Sequence, residues 1–265
     1  MKYMVIKCGG SVLENLPLSF YKNIVSLHET GEWVPIIVHG GGPLITSLLQ
    51  TLNVETSFIN GLRVTDDQVL NIVEMVLSGS VNKTVVRKVI EAGGSAIGVS
   101  GVDGMLLKAA PNENFEILGF VGDVEEVNGE ILEGIINQGH IPIISPVGID
   151  ETGQRYNING DIAASAIAKR FGANLCFISD ISGILFEENG HKKKLSKVSK
   201  AKVEKMIQDG SIWGGMIPKV KAAIDGLSSN ISEVGIINGL TENSLLDYAN
   251  GKKIGTKIVL EEEIA

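Results

Sequence analysis

A short apolar strand followed at once by glycines is the feature that most constrains the fold of this chain. Residues 34–38 are apolar and largely β-branched, which indicates a buried strand, and glycines occupy positions 40–42. Pro43 then opens an amphipathic stretch, so the pattern predicts a strand, a turn and a helix. Bare glycine backbone and the amides of a helix start suit an anion. The alternative is that the glycines only form a tight turn.

The same design occurs near the N-terminus. An apolar strand at 4–6 is followed by Gly9, Gly10 and a helix-like stretch at 13–28, and Lys7 stands at the strand end. In open parallel sheets, ligands bind beyond the carboxyl ends of the strands. Two glycine turns at such ends, one of them beside a lysine, predict a site for a phosphorylated ligand.

Composition limits the possible functions. With 265 residues, 44% of them hydrophobic, the chain can bury a core as one large domain or two lobes. The net charge of -8, with a basic run only at 192–194, argues against nucleic-acid binding. Two distant cysteines, Cys8 and Cys176, give no support to a disulfide framework or zinc site. No apolar run reaches the roughly 20 residues of a membrane span, so we expect a cytoplasmic protein without membrane contact.

Apolar strands alternate with amphipathic segments along the chain, which predicts an α/β fold with an open, mainly parallel sheet and helices on both faces. We predict strands at 4–6, 36–38, 96–99, 141–144, 175–178 and 234–237. Helices are predicted at 66–78, 81–92, 132–138, 161–170, 200–208 and 219–227. Two hairpins are predicted, one joining 105–108 to 117–121 and one joining 143–149 to 155–158. A break at 172–174 divides the chain into expected lobes at 1–173 and 174–265.

Several common active-site motifs are absent from the sequence. It contains no P-loop, no dinucleotide-binding glycine fingerprint and no G-x-S-x-G nucleophile elbow. The four histidines show no metal-ligand spacing, and Cys8 has no obvious base beside it. These absences disfavour hydrolase, dehydrogenase and metal-centred chemistry.

Two polar segments carry candidate binding residues. Arg63 lies in a turn-like stretch, where its planar fork would match a carboxylate; the alternative is an ion pair with Asp66 or Asp67. Asn157 and Asn159 share a strand face, and Asp161 follows at the start of a helix of small residues. That aspartate either caps the helix or holds lysine ammonium groups in position.

Two later turns suit a nucleotide. Residues 179–185 follow the predicted strand at 175–178, in a place fit for a sugar and base. Residues 213–221 form a glycine turn before a helix with Lys219 in its first turn, which repeats the phosphate-binding pattern. A solvent-exposed surface lysine is the alternative for Lys219.

Six motifs together resemble the amino acid kinase family, and within it the members that act on N-acetylglutamate. They stand in the family's order and span almost the whole chain, at 7–10, 38–42, 60–65, 157–161, 179–183 and 215–219. The resemblance implies ATP-dependent phosphorylation of the γ-carboxylate of N-acetyl-L-glutamate in arginine biosynthesis. It also implies Mg²⁺ held mainly by the nucleotide phosphates, without a dedicated protein metal site.

The resemblance also implies residue roles. Lys7 and Lys219 would stabilise the transferring phosphoryl group, with Asp161 organising both lysines. The amino acid would be bound by Gly41, Gly42, Asn157 and, at its α-carboxylate, Arg63. Phosphate contacts would come from Gly9, Gly10 and Gly42. Nucleotide contacts would come from Ser179, Asp180, Ile181, Ser182, Gly183, Ile184, Leu185, Ser211, Ile212, Trp213 and Met216. Gly160 departs from the family, where alanine is common, and could loosen the turn beside Asp161.

The implied chemistry agrees with the residues present. A γ-carboxylate, with an unperturbed pKa of about 4.3, is ionised at neutral pH and needs no general base. Lysines, backbone amides and Mg²⁺ suffice to bring two anions together.

The chain has no room for the extra domains of aspartate kinases or glutamate 5-kinases, and Lys7 is near its start. We therefore expect a homodimer, joined through the N-terminal lobe and insensitive to arginine. Two alternatives remain open: a kinase for carrier-protein-linked aminoadipate or glutamate, and a non-catalytic amino-acid sensor.

Overall fold

A single open sheet forms the centre of the computed structural model, which describes residues 1–188, 191–212, 216–227, 231 and 233–260. The strands are β1 (Lys2–Cys8), β2 (Trp33–His39), β3 (Phe58–Ile59), β4 (Leu62–Arg63), β5 (Ala96–Ser100), β6 (Leu107–Pro111), β7 (Val121–Val127), β8 (Ile141–Ser145), β9 (Val147–Ile149), β10 (Arg155–Ile158), β11 (Asn174–Ser179), β12 (Leu185–Glu188), β13 (His191–Lys194), β14 (Lys197–Ser199), β15 (Glu233–Asn238) and β16 (Thr256–Val259). The helices are α1 (Gly10–Leu13), α2 (Leu18–Glu29), α3 (Gly42–Thr51), α4 (Asp67–Glu74), α5 (Asn82–Glu91), α6 (Phe115–Leu118), α7 (Gly129–Asn137), α8 (Gly160–Phe171), α9 (Lys200–Gln208), α10 (Met216–Gly226) and α11 (Ser244–Ala249).

The main sheet has eight strands in the order β14-β16-β15-β11-β1-β2-β8-β5. Its strands run parallel except that β16, with β14 beside it, is antiparallel to β15. All seven residues of β2 are buried, as expected for a strand covered on both faces. Successive residues enter opposite cores: Ile36 packs in one hydrophobic cluster and Ile37 in the other. The mainly parallel α/β architecture and all six predicted strands are therefore confirmed.

The glycine turns lie where the sequence predicts them. In the sheet, β1 pairs with β2 so that Cys8 stands opposite His39, and both strands end at the same edge. Helix α3 begins at Gly42 with Pro43 in its first turn, as predicted. The helix-like stretch after the first turn is instead two helices, α1 and α2, because Pro17 separates them at the N-terminus of α2.

The predicted helices at 66–78 and 81–92 are one continuous helical segment, so the predicted break between them is wrong. A π-helical stretch, Met75–Val81, joins α4 to α5 across the gap left between the two predicted helices. By length and composition alone, residues 67–91 could cross a membrane, but half of the apolar window is buried inside the protein. Its buried face packs in the core beside β2, which is the role of a core helix.

A small closed sheet of β10, β7, β6 and β9 stands beside the main sheet. The predicted hairpin around 150–154 is confirmed, since β9 and β10 pair antiparallel. The other hairpin pairs β6 with β7, but the predicted strand at 117–121 is wrong. Residues 115–118 form α6, which ends at Gly119 with a positive φ of 65° that favours glycine, and β7 starts only at Val121.

Helix α8 ends at Gly172 in the left-handed conformation, so the predicted break at 172–174 coincides with a helix end. The main sheet nevertheless continues across this point, because β11 pairs directly with β1. The division into lobes at 1–173 and 174–265 remains a prediction.

Candidate active site

The two glycine turns are in direct contact at the carboxyl end of the sheet. A Cβ added to Gly10 would lie 2.9 Å from the backbone nitrogen of Gly42 and 3.0 Å from that of Gly41. Only glycine at position 10 therefore allows the turns to approach this closely. Gly42 has open space where a side chain would be, so its backbone is accessible to a ligand.

The π-helical stretch lies under this contact. A Cβ at Gly41 would lie 2.7 Å from Leu77 Cδ2 and 3.1 Å from Val81 Cγ2. The next residue, Asn82, is fully buried and donates from Nδ2 to the carbonyl oxygens of Val99 and Ile143 at 3.2 and 3.0 Å. The helical segment is thus bonded to two strands of the sheet and fixes the position of the glycine turn.

A cavity of about 230 Å³, which we call the arginine cavity, opens in front of the glycine turns. Its lining includes Lys7, Gly10, Gly40, Gly41, Gly42, Phe58, Gly61, Arg63, Asn157, Asn159, Gly160 and Asp161. The structure therefore brings together the two glycine turns, the 60–65 turn and the 157–161 segment, which lie far apart in sequence.

Arg63 is buried, with 6% of its surface exposed, and its guanidinium is held by neutral oxygens. It donates to Thr56 Oγ1 and Thr46 Oγ1, both at 2.8 Å, and to the Gly42 carbonyl at 3.2 Å. Within the described residues it forms no ion pair with Asp66, whose carboxylate instead caps α4 through the Val69 amide. Burial lowers the pKa of Arg63, the direction expected for a cation without a counter-charge.

Three threonines near Arg63 were not singled out from the sequence. Thr46 and Thr56 hold the guanidinium, and Thr65 bonds to Asn157, whose Nδ2 lies 3.1 Å from Thr65 Oγ1. Thr46 lies one helical turn after Gly42 and donates to its carbonyl at 3.0 Å. That four-residue spacing from Gly42, a predicted binding residue, was the available signal for Thr46, whereas Thr56 and Thr65 needed the folded geometry.

Lys7 and Asp161 form an ion pair with a distance of 2.6 Å between Nζ and Oδ1. Asn159 provides the N-cap of α8, accepting from the Asp161 amide at 2.7 Å. Because the capping role belongs to Asn159, the Asp161 carboxylate is free to hold the lysine. Gly160 lies next to the pair; a Cβ there would be 3.5 Å from Lys7 Cε, an ordinary contact.

A second cavity of about 190 Å³, the lysine cavity, adjoins the first. Its lining includes Lys7, Gly9, Gly10, Ser11, Asp161, Ser179, Asp180 and Lys219. Lys219 Nζ lies 2.8 Å from Ser179 Oγ and 2.6 Å from Asp180 Oδ1. The hydrogen bond from Lys219 holds the pKa of Asp180 below its usual value. Asp161 thus pairs with Lys7, and Asp180 rather than Asp161 is the partner of Lys219.

Six other predicted nucleotide residues, Ile181, Ser182, Gly183, Ile184, Leu185 and Ser211, are outside the described lining of the lysine cavity, as is Ile212. Ile184 and Ile212 are buried in the core, and the Ile184 amide donates to Thr256 Oγ1 at 2.7 Å. Ile181, Ser182, Gly183 and Ser211 lie in loops next to these two isoleucines, and Leu185 begins β12. Met216 begins α10, and Trp213 lies outside the described residues. The nucleotide contacts of these positions remain predictions.

Cys8 and His39 lie beside the site but are uncharged near neutral pH. Burial raises the pKa of the Cys8 thiol to about 12. Burial also lowers the pKa of His39 to about 4, against a smaller opposing effect of its bond to the Gly40 carbonyl. Neither group is suited to act as a base or nucleophile in this state. In the described part of the chain, His, Cys, Asp and Glu form no cluster of three that could hold a metal ion.

The geometry therefore joins two cavities, one with a buried guanidinium and one with two lysines, across a shared wall. A model of the amino acid kinase family matches residues 2–238. The chain belongs to the amino acid kinase family. This membership accounts for the order of the six motifs and for the meeting of both glycine turns at one sheet edge.

Similar proteins agree with this membership. An acetylglutamate kinase of Oceanobacillus iheyensis is 46% identical over 264 residues, which cover 100% of this chain and 99% of that protein. An acetylglutamate kinase of Geobacillus kaustophilus is 46% identical over 97% of this chain and 96% of its own length. The crystal structure of smu.665 from Streptococcus mutans UA159 has a TM-score of 0.82 at 29% identity, covering 98% and 99% of the two chains.

Proposed function

We propose that the protein phosphorylates the γ-carboxylate of N-acetyl-L-glutamate with ATP, giving N-acetyl-L-glutamyl 5-phosphate, a step of arginine biosynthesis. The observation that carries the proposal is that Lys7, Gly10 and Asp161 line both cavities. A wall common to two anion-binding cavities is where a phosphoryl group would pass from one ligand to the other. The full-length relatives at 46% identity support the choice of acetylated glutamate.

In this reaction a γ-carboxylate oxygen attacks the terminal phosphorus of ATP. The bond between that phosphorus and the bridging oxygen breaks, ADP leaves, and an acyl phosphate is formed. No proton is moved, because the nucleophile is already ionised. The protein's task is to position two anions and to stabilise charge on the transferring group.

The charges of the described residues fit this task. In the arginine cavity, Arg63 has donors to spare for an α-carboxylate, and the open backbone at Gly42 can face the γ-carboxylate or the phosphoryl group. Lys7 stands at the shared wall, held by Asp161, and Lys219 reaches the lysine cavity from α10. Their ammonium groups would stabilise the phosphoryl oxygens during transfer.

We further propose that Mg²⁺ enters with the nucleotide. Both aspartates that line the lysine cavity, Asp161 and Asp180, are already paired with lysines at 2.6 Å. This donor set fits a cation held chiefly by nucleotide phosphates, which would neutralise phosphate charge. The prediction is that activity requires a divalent cation, whereas equilibrium dialysis of the protein alone detects no tight Mg²⁺ binding.

The direct test traps the acyl phosphate with hydroxylamine. Purified protein, Mg-ATP and N-acetyl-L-glutamate should give a hydroxamate, whereas free glutamate and aspartate should give none. If none of the three substrates gives a hydroxamate although the protein binds ATP, the carrier-linked kinase replaces the proposal. If ATP does not bind either, the protein is a sensor on the same scaffold.

We also propose a cytoplasmic homodimer joined through residues 1–173. Large apolar side chains are exposed in this part of the chain, among them Leu52, Met75, Ile90 and Ile117. Sedimentation should give the mass of a dimer, and arginine should not inhibit. A hexamer, or inhibition by arginine, would contradict this proposal without touching the proposed reaction.

A further inference from the structure

Thr65 is a fully buried threonine that bonds to both Arg63 and Asn157, two of the residues proposed to bind the amino acid. Its hydroxyl donates to the Arg63 carbonyl at 2.7 Å, and Asn157 Nδ2 lies 3.1 Å from the same oxygen. Its backbone is fixed as well: the Thr65 amide donates to the Leu118 carbonyl at 2.8 Å, and the Phe120 amide donates to the Thr65 carbonyl at 2.7 Å. The hydroxyl therefore has one defined position.

The single proton of this hydroxyl determines how Asn157 is oriented. A carbonyl oxygen can only accept, so the hydroxyl proton is committed to Arg63. Toward Asn157 the threonine oxygen can then act only as an acceptor, and the group facing it must be the amide nitrogen. Asn157 Oδ1 then points away from Thr65, and it accepts no hydrogen bond from the described residues of the chain. Asn157 itself lines the arginine cavity.

We infer that Thr65 is a positioning residue that turns Asn157 so that Oδ1 faces the cavity as an acceptor, next to Arg63. A ligand that satisfies both groups has a carboxylate and an N–H donor on the same carbon. The amide N–H of an N-acylated α-amino acid meets this requirement. The inference rests on the proposed function and adds to it, because it names the amide N–H as a recognised group and Thr65 as a determinant of specificity.

The test compares N-acetyl-L-glutamate with (S)-2-acetoxyglutarate, an ester that replaces the N–H by oxygen and keeps both carboxylates. The hydroxamate assay measures kcat/KM for each. In the unmodified protein we expect the ester to be poorer by about 10- to 100-fold, because it leaves the Asn157 acceptor unpaired. KM for ATP should be the same with both compounds.

Thr65→Val keeps the shape of the side chain and removes the hydroxyl, which frees the Asn157 amide to rotate. We expect kcat/KM for the amide to fall by about 10-fold and that for the ester by less than about 3-fold, so the preference shrinks. Thr65→Ser restores the hydroxyl and should restore the preference. If Thr65 only filled space in the core, serine would not restore the preference, and the loss of kcat/KM would not be confined to N-acetyl-L-glutamate.

Thr256→Val is the matched control. Thr256 is equally buried, donates to the Leu195 carbonyl at 2.5 Å and accepts from the Ile184 amide at 2.7 Å. Neither Thr256 nor these two partners belongs to the lining of the arginine cavity. It should leave the amide-to-ester preference within about 2-fold of the unmodified value, since its bonds do not reach Asn157.

An unchanged preference in Thr65→Val, or an equal loss with both compounds, would overturn the inference. If circular dichroism shows that Thr65→Val is unfolded, Asn157→Ala takes its place and must lose the preference; retention would overturn it. Failure of the proposed function gives a different result, because the unmodified protein would then phosphorylate neither compound.

Discussion

The arginine cavity and the lysine cavity hold their charged side chains in different ways. Arg63 is buried and fixed by three bonds to neutral oxygens, so no carboxylate must leave before a ligand's carboxylate arrives. Lys219 is 39% exposed and paired with Asp180, which is 60% exposed. Such an exposed pair contributes only about 0–1 kcal/mol, so a phosphate can displace it at little cost. Under the proposed function, the arginine cavity would therefore be preorganised for the amino acid, whereas the lysine cavity would exchange a carboxylate for a phosphate.

Replacing Lys219, the exposed lysine of the lysine cavity, should have the largest effect on activity. Lys219→Ala should lower kcat by about 10³-fold, or about 4 kcal/mol, and change KM for the amino acid little, because its ammonium group would stabilise the charge that is redistributed over the phosphoryl and leaving oxygens in the transition state. The measurement is hydroxamate formation at saturating ATP. Lys221→Ala, two residues later on the same helix, is the control and should retain activity. An increase in KM alone would make Lys219 a binding residue.

The stability of the protein should depend on pH through His39, which is buried beside the glycine turns. The folded pKa of about 4 lies below the ordinary 6.5, so the unfolded chain binds more protons between these values. Stability from this group is complete above about pH 6.5 and is lost as the pH falls to about 4, amounting to at most about 3 kcal/mol. Urea unfolding at pH 7 and pH 5 should show a smaller loss in His39→Gln than in the unmodified protein. His28→Gln, at a half-buried histidine on α2, should behave as the unmodified protein does.

Removing the buried guanidinium should affect binding rather than turnover. We expect Arg63→Ala to raise KM for N-acetyl-L-glutamate by about 10²-fold with kcat within about 5-fold, as for loss of a charge-assisted bidentate contact. Arg87→Ala is the control, since Arg87 is exposed on α5 and bonds only to Thr84 within the described residues. Equal effects of the two substitutions would show that the preorganised guanidinium does not bind the substrate.

Two aspartate substitutions sharpen the comparison directly. Asp161→Asn should lower kcat by about 10- to 30-fold, because Lys7 is only 15% exposed and depends on its partner for position. Asp180→Asn should change kcat by less than about 5-fold, since the exposed pair it breaks is one that an incoming phosphate would displace under the proposed function. A larger effect at Asp180 than at Asp161 would reverse the proposed division between the cavities.

The smallest expected effect is at Gly160. The first turn of α8 has room for a methyl group here, in ordinary contact with Lys7 Cε at 3.5 Å. Gly160→Ala should raise the free energy of unfolding by about 0.5–1 kcal/mol and leave activity within about 3-fold. Gly10→Ala is the contrast, because its Cβ would meet backbone at 2.9 Å and should destabilise the turns. A destabilised Gly160→Ala variant would mean that the turn beside Asp161 needs the freedom of glycine.

Much of the fold and part of the site could be predicted from the sequence, because both depend on local signals. Short β-branched runs before glycines identified the central strands and the two turns of the site. The π-helical stretch could not be predicted, since Gly79 and Ser80 lie in the gap between the two predicted helices, and the packing of Leu77 and Val81 under Gly41 depends on the fold. The partner of Lys219 was also missed: Asp180 lies 39 residues away in sequence, and only the fold brings the two together.

The wall shared by the two cavities has a consequence for inhibitor chemistry. Lys7, Gly10 and Asp161 border cavities of about 230 and 190 Å³, so their occupants would be nearly in contact. A single compound that links an acylated glutamate to a nucleotide through a short phosphate-like bridge would occupy both and lose its translational freedom only once. The affinity of such a conjugate, relative to its two halves, would measure how closely the cavities are aligned before any reaction takes place.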